Sequence, residues 1–367
     1  MISLLLIFNN TTLSQQSLID KKHFCILPWI HLHVSQNGRV SPCCNNNRYL
    51  GNVQKNSINK IWNNQPFEEL REQFSKDIPD KRCSHCYNIE ASGKKSMRQI
   101  SNQKYAKELN RVETNNPEPI YLDIRFSNIC NFKCKTCWHG NSSAWFEEGS
   151  KRNATNERII KAFTNHFDEL LNYLDDVQEI YFAGGEPLIM EEHYQILEEL
   201  EKRKLFDVEL RYNTNFSNLN FKDKSILQIW KQFKKVHVSA SIDAAFKLGE
   251  DIRDGFHWEE FINNRQEMLT VCPEVFFEIT PTVSSLNISN LPELHQELVN
   301  QQLIDIDSIY LNFLERPQEF NVQQLPIAQK QEIQEILKQH IKWLIANEAK
   351  TKVITDFDNL ISYMKIN

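Results

Sequence analysis

Glycine is scarce in this chain, with 9 in 367 residues, and long hydrophobic runs are missing. The apolar opening "MISLLLIF" is too short to span a bilayer and has no Lys or Arg ahead of it. It runs into the polar "NNTTLSQQS" where a secretion signal would place small residues for cleavage. Residues 1–20 are therefore read as a frayed or loosely docked start. The protein is expected to be cytoplasmic, with no membrane partner. An excess of positive charge is also absent: Lys and Arg number 42 against 48 Asp and Glu, a formal charge of −6. That balance gives no general attraction to nucleic acid. No internal repeat is found. Hydrophobic residues at 41% and charged residues at 25% supply ample material for a core, which excludes global disorder. Cysteines number 9, and most fall in two groups. Without a secretion signal they are expected to be reduced, and clustered thiols then point to metal rather than to disulfides.

From about residue 118 to 316, extended apolar runs alternate with amphipathic helical stretches. The runs cover 120–126, 179–184, 208–213, 236–242, 275–283 and 306–314. Between the first two, Ile159, Ile160, Phe163, Phe167, Leu170, Leu171 and Leu174 share one helical face. Further helices are expected near 192–203, 222–233, 256–270 and 291–301. Such alternation forces parallel strands, because each crossover helix returns the chain to the same edge. Six repeats predict an α/β fold built on a partial (β/α)6 TIM-like barrel, open on one side. Ahead of it, residues 21–100 are cysteine-rich and loop-rich, as expected of a small domain stabilised by metal because its own apolar core is limited. Residues 101–117 read as a helix and polar linker, and 317–367 as a C-terminal helical segment. Its helix at 327–347 should pack on the barrel through Ile333, Ile336, Leu337, Ile341 and Leu344.

Cys130, Cys134 and Cys137 stand in "SNICNFKCKTCWHG" (127–140), just after the first barrel strand. That carboxyl end of the strands is where parallel barrels carry their chemistry. Three thiolates from one loop can hold three corners of a cubane 4Fe–4S cluster, leaving the fourth iron open to a chelating substrate. A structural zinc site takes four ligands, and here only His139 is at hand to complete one. "AGGEP" (183–187) follows the second strand. Two adjacent glycines in a glycine-poor chain argue for close backbone approach to a ligand, the plainer alternative being a tight turn.

With this spacing and company the chain resembles the radical SAM superfamily, whose signature is Cys-x-x-x-Cys-x-x-Cys after the first strand of a partial barrel. The resemblance covers about residues 21–316. It implies that Cys130, Cys134 and Cys137 ligate a 4Fe–4S cluster whose open iron is chelated by S-adenosyl-L-methionine. It further implies that Gly184, Gly185, Glu186 and Pro187 bind the amino group of that cofactor. "NTN" at the end of the third strand adds Asn213 and Asn215, and "SIDA" after the fourth adds Ser241 and Asp243. Ser241 and Arg253 are the implied contacts of the cofactor's carboxylate and ribose. The residue before the third cysteine is commonly aromatic in the superfamily, but here it is Thr136, with Trp138 on the other side. The implied activity is reductive cleavage of the cofactor to methionine and a 5′-deoxyadenosyl radical, which abstracts a substrate hydrogen. No side chain is singled out as acid or base.

Upstream, "CILPWIHLHVSQNGRVSPCC" (25–44) and "CSHC" (83–86) resemble the Cys…Gly-x-x-x-x-Cys opening of SPASM and twitch auxiliary-cluster domains, here placed before the barrel. Five cysteines support one auxiliary 4Fe–4S cluster, as in the shorter twitch form. The implied ligands are Cys25, Cys43, Cys83 and Cys86, with Cys44 a substitute or bystander. A zinc knuckle from the same thiols is the alternative, and with it a non-catalytic zinc-binding interaction protein on a barrel scaffold. His31 and His33 share one face of an apparent strand, while Cys272 falls before the fifth strand, away from the chemistry. The resemblance also implies a peptide or small-molecule substrate and a flavodoxin- or ferredoxin-type electron donor.

Overall fold

A computed structural model of the chain describes residues 18–91, 93–114, 117–152 and 156–365, so most of the start expected to fray lies outside the described residues. Two units divide the chain: Met1–Ile124 with Ala162–Glu179, and Arg125–Lys161 with Ile180–Asn367.

In the first unit, β1 (His31–Val34), β2 (Arg39–Ser41) and β3 (Gly51–Asn52) form an antiparallel meander. β4 (Tyr121–Ile124) runs parallel to β1, with His33 opposite Asp123. The β1–β2 turn depends on Gly38, whose φ is +76° and whose Cβ, were there one, would meet the Ala162 carbonyl at 2.7 Å. Helices α1 (Leu27–Ile30), α2 (Ile58–Trp62), α3 (Gln65–Ser75), α4 (Ser84–Ala91) and α5 (Met97–Lys104) complete this unit's frame. α3 begins where the Asn64 side chain accepts from the Phe67 N–H, with proline in its first turn. It buries Phe67, Leu70 and Phe74, spaced to lie on one face.

The second unit has the expected α/β architecture. β6 (Glu179–Phe182), β7 (Glu209–Thr214), β8 (Val236–Ala240) and β10 (Phe276–Ile279) are neighbours in chain order, and β7, β8 and β10 run parallel. Helices α6 (Glu191–Arg203), α7 (Ile226–Trp230), α8 (Trp258–Val271) and α9 (Leu291–Asn300) supply the crossovers. On β7, Leu210, Tyr212 and Thr214 are buried while Glu209, Arg211 and Asn213 are half-buried, the alternation of a strand with one apolar face. Tyr212 packs between Phe182 and Trp230, at ring separations of 5.2 and 5.0 Å.

Three expectations are corrected. The helix expected over 159–174 shortens to Phe167–Leu171. Asn128 explains the loss: its N–H donates to the Ile160 carbonyl at 3.1 Å, and its Oδ1 accepts from the Ile160 N–H at 2.8 Å, removing groups a helix would need. The fifth run splits at Pro281, which cannot donate to a ladder, into β10 and β11 (Thr282–Val283). Of the sixth run, only β12 (Asn312–Phe313) is strand, parallel to β11, with one further bridge between Ile279 and Ile309.

The C-terminal segment forms two helices, α10 (Ile327–Ala346) and α11 (Thr351–Tyr363). His295 of α9 and His340 of α10 meet in a buried chain of hydrogen bonds. The Ile306 carbonyl can only accept, so His295 donates from Nε2 at 3.0 Å. Its Nδ1 then accepts from His340 Nε2 at 3.1 Å, and His340 Nδ1 accepts from Gln296. Only neutral rings satisfy this order. Burial pulls His295 down to about 4, and burial with the neighbouring His295 pulls His340 down to about 3, from an ordinary 6.5. The unfolded chain therefore takes up protons that the folded one refuses. Stability should hold above about pH 7 and fall as pH drops below 6.5, by about 2 kcal/mol for each ring at pH 5. Melting curves at pH 7.5 and pH 5 check this, and His340→Gln should remove about half of the difference, because burial alone still lowers His295.

Among the described residues no helix is long and apolar enough to cross a membrane.

Candidate active site

The loop that follows β4 is built on buried polar anchors. The Asn128 amide donates to the His139 carbonyl at 2.7 Å, and the Ser142 hydroxyl donates to the Phe132 carbonyl at 2.7 Å. Within the loop, β5 (Lys133–Cys134) pairs antiparallel with β9 (Arg253–Asp254), so that Cys134 stands opposite Arg253. Cys134 is buried; Cys130 and Cys137 are half-buried. Burial pushes the Cys130 thiol up to about 12, with the charges of Glu186, Cys134 and Cys137 adding to it. Burial also pushes Cys134 up to about 11, against the pull of the Arg253 guanidinium. The three thiols thus lie within one another's field, beside Glu186 and Arg253. No three His, Cys, Asp or Glu side chains among the described residues have the geometry of a single-ion site. Three thiols on one loop match three corners of a cubane, which takes one thiolate at each of separate irons.

The glycine pair seals the loop to the end of β6. Gly184 and Gly185 have φ of +78° and +57°. The Glu186 N–H donates to the Ile129 carbonyl at 2.7 Å, beside Cys130. The Glu186 carboxylate is buried and holds the end of β7. Its Oε1 accepts from Thr214 Oγ1 at 2.7 Å and from the Leu188 N–H at 3.0 Å, and its Oε2 from the Asn215 N–H at 2.6 Å. Burial raises its pKa despite these donors. Three of about four lone-pair positions are thus filled by protein, leaving one. Pro187 opens a short 3-10 turn. Asn215 donates to Asn131 in the cysteine loop at 2.8 Å, and Asn131 donates to Ser217 at 2.9 Å. Asn131 and Thr214 carry no signal in the sequence, because their partners lie tens of residues away.

At the end of β8, the Ser241 N–H donates to the Thr214 carbonyl at 2.8 Å. Asp243, fully buried, accepts from Arg253 Nη1 at 2.9 Å and from the Thr282 N–H at 2.7 Å. Burial works against the Arg253 charge, but Cys134 and Asp243 outweigh it and hold the guanidinium above its ordinary value. Its Nε is buried with no hydrogen-bond partner, a donor facing an acceptor that the protein does not provide. The structure thereby gathers the cysteine loop, residues 184–187, Asn215, Ser241, Asp243 and Arg253 at one end of the sheet. Asn213 lies one pleat below, half-buried.

In the first unit, burial pushes Cys25 up to about 12, with the charges of Cys83 and Cys86 adding. Cys43 is raised by burial and then by Cys44, Cys25 and Cys83. Cys25, Cys43, Cys83 and Cys86 therefore converge, while Cys44 is exposed. Asn46 donates to the Cys83 sulfur at 3.2 Å. His31 and His33 do share a face. They point their Nε2 atoms at Asp123, at 3.8 and 3.9 Å. Cys272 is buried at the end of α8.

Comparison with known families gives two matches. The model for the SPASM iron-sulfur cluster-binding domain matches residues 25–87, and that for the radical SAM superfamily matches residues 124–280. No curated protein matches. Similar solved structures include native anSMEcpe with bound AdoMet, at 16% identity, 63% of this chain, 63% of that chain and a TM-score of 0.45. Another is anSMEcpe with AdoMet and the Cp18Cys peptide, at 14% identity, 63% and 61% coverage and a TM-score of 0.43. A third is Streptococcus suis SuiB bound to the precursor peptide SuiA, at 16% identity, 80% and 63% coverage and a TM-score of 0.44. The chain spans about three-fifths of the length of each of these structures. The domain matches carry the conclusion: residues 124–280 form a radical SAM domain and, ahead of it, residues 25–87 an iron–sulfur cluster-binding domain of the SPASM type.

Proposed function

We propose that the protein binds S-adenosylmethionine at a 4Fe–4S cluster held by Cys130, Cys134 and Cys137 and abstracts a hydrogen atom from its substrate. The orphaned Arg253 Nε beside Cys134 carries this reading, because an ionised cofactor carboxylate supplies the acceptor it lacks. When bound, the cluster and cofactor supply the one-electron cleavage that yields methionine and a 5′-deoxyadenosyl radical. The chain's own part is positioning and exclusion of water. Asp243 keeps the Arg253 guanidinium oriented. Gly184 and Gly185 permit close backbone approach, Glu186 offers its remaining acceptor position to the cofactor's amino group, and Pro187 ends the segment. Asn215 and Ser241 line the same end, with Asn213 one pleat below.

Cys25, Cys43, Cys83 and Cys86 are proposed to hold one auxiliary 4Fe–4S cluster, with Cys44 outside the ligand set. The domain limits proposed are 21–100 for this module, 101–117 for the linker, 118–316 for the barrel and 317–367 for the C-terminal helices. A peptide is the first substrate class to test, because SPASM-type relatives often modify peptides, and a small molecule the second. A flavodoxin- or ferredoxin-type protein is the proposed electron donor.

Electron paramagnetic resonance of the reduced protein tests this assignment. Adding S-adenosylmethionine should change the cluster signal of the wild type. Cys83→Ala should lose about half of the iron yet keep that change, since its thiol belongs to the other cluster. A melting curve must accompany it, because metal binding and folding are coupled in small cysteine-rich modules. A folded Cys83→Ala protein with undiminished iron would remove Cys83 from the ligand set.

A further inference from the structure

The face of β7, β8 and β10 opposite the helix-packed side carries polar groups that the fold itself does not require. Asn213, Ser239 and Glu278 are in register across the three strands, and Arg211, His237 and Phe276 form the next row. The alternate residues Leu210, Tyr212, Val238, Ala240, Phe277 and Ile279 are buried and apolar or aromatic. Within the polar rows, His237 Nε2 lies 2.9 Å from Glu278 Oε1, and the Ser239 hydroxyl donates to the same oxygen at 2.9 Å. Burial alone would raise the Glu278 carboxyl. The hydrogen bonds from His237 and Ser239, with Lys352 nearby, hold it below its ordinary value, so it is an anion and can only accept. His237 must then donate from Nε2. In the neutral ring this leaves Nδ1 as a lone pair. Both side chains retain solvent access, 26% for His237 and 18% for Glu278.

Their place in the sheet ties them to the site above. Ser239 and His237 follow Ser241 down the same face in two-residue steps of about 6.6 Å. Asn213, in Ser239's row, is itself a proposed cofactor contact. A carboxylate that fixes the tautomer of an imidazole, and would steady the imidazolium formed from it, is an arrangement suited to taking a proton.

We propose that His237, held by Glu278, is the proton acceptor of this barrel and that its substrate presents a hydroxyl or thiol to Nδ1. In that step the O–H or S–H bond breaks heterolytically, the electron pair stays on oxygen or sulfur, and the proton goes to Nδ1. Glu278 balances the charge gained by the ring. This inference rests on the reading of the site as a radical SAM centre.

Carbethoxylation by diethyl pyrocarbonate at pH 8, mapped by peptide mass spectrometry, tests it without the natural substrate. His237 should react at least tenfold faster than the buried His193 and His295, and Glu278→Gln should slow it several-fold. The probe is an equimolar pool of hexapeptides containing Ser, Thr and Cys, compared with a pool bearing Ala at those positions. The first pool should protect His237 at least fivefold better than the second. An unreactive His237, an unchanged rate in Glu278→Gln, or equal protection by the two pools would overturn the proposal. Conversion of S-adenosylmethionine by the same wild-type preparation is measured alongside. Its absence would count against the radical SAM reading and not against the acceptor pair, so the two failures are distinguishable.

Discussion

Replacing Cys130, Cys134 and Cys137 together by alanine should leave the protein with about half of its iron and sulfide, as expected when one of two cubanes is lost. Conversion of S-adenosylmethionine should fall below detection. The remaining iron is expected because Cys25, Cys43, Cys83 and Cys86 converge elsewhere, in the other unit. The loop should keep its shape in the variant. Its anchors are the Asn128 amide, the Ser142 hydroxyl and the β5–β9 pairing, none of which uses a thiol. Iron analysis, an activity assay and a melting curve check the three parts. A triple variant with full iron would show that the loop is not a cluster ligand.

Gly185→Ala should be nearly as damaging, although it removes no ligand. At φ +57°, a Cβ at this position would lie 2.3 Å from the Ile129 carbonyl oxygen, 2.6 Å from the Met190 methyl and 3.0 Å from the Ser127 carbonyl oxygen. The Met190 methyl can swing away. The Ile129 carbonyl cannot, because it accepts the Glu186 N–H at 2.7 Å and stands next to Cys130. Left-handed backbone alone costs a non-glycine residue about 1–2 kcal/mol, and relieving the clash moves either the cysteine loop or Glu186. The expected result is a loss of about 2–4 kcal/mol of stability and at least a hundredfold loss of cofactor cleavage. Denaturant melts and initial rates measure the two. A variant with wild-type rates would mean that residues 184–186 do not position the loop.

The parts of the site that could be read in the sequence are those whose spacing is local. Cys130, Cys134 and Cys137 fall within eight positions, and Gly184 to Pro187 within four, so their chemistry is written in short stretches. Glu186 shows where that kind of reading stops. Its place in the motif was legible, but not its grip on Thr214 and Asn215, which takes up about half of its acceptor capacity. The parallel pairing of β1 with β4 was not legible either, because strands joined across so long an interval leave no periodic trace. Hydrophobic periodicity placed α6, α8, α9 and α10 closely. It failed at 159–174, where one buried asparagine takes over the backbone of Ile160. The second C-terminal helix did have a signal, since Val353, Phe357 and Leu360 are spaced to share a face and are buried together. His237 and Glu278 needed the register of β8 on β10, which no single stretch contains.

The central claim is that this chain is an S-adenosylmethionine-cleaving iron–sulfur protein, and product analysis after anaerobic reconstitution tests it most directly. With a strong reductant, protein holding about eight iron and eight sulfide, as two cubanes require, should convert S-adenosylmethionine to methionine and 5′-deoxyadenosine in equal amounts. A preparation that takes up zinc but no iron, and leaves the cofactor intact, would contradict the account.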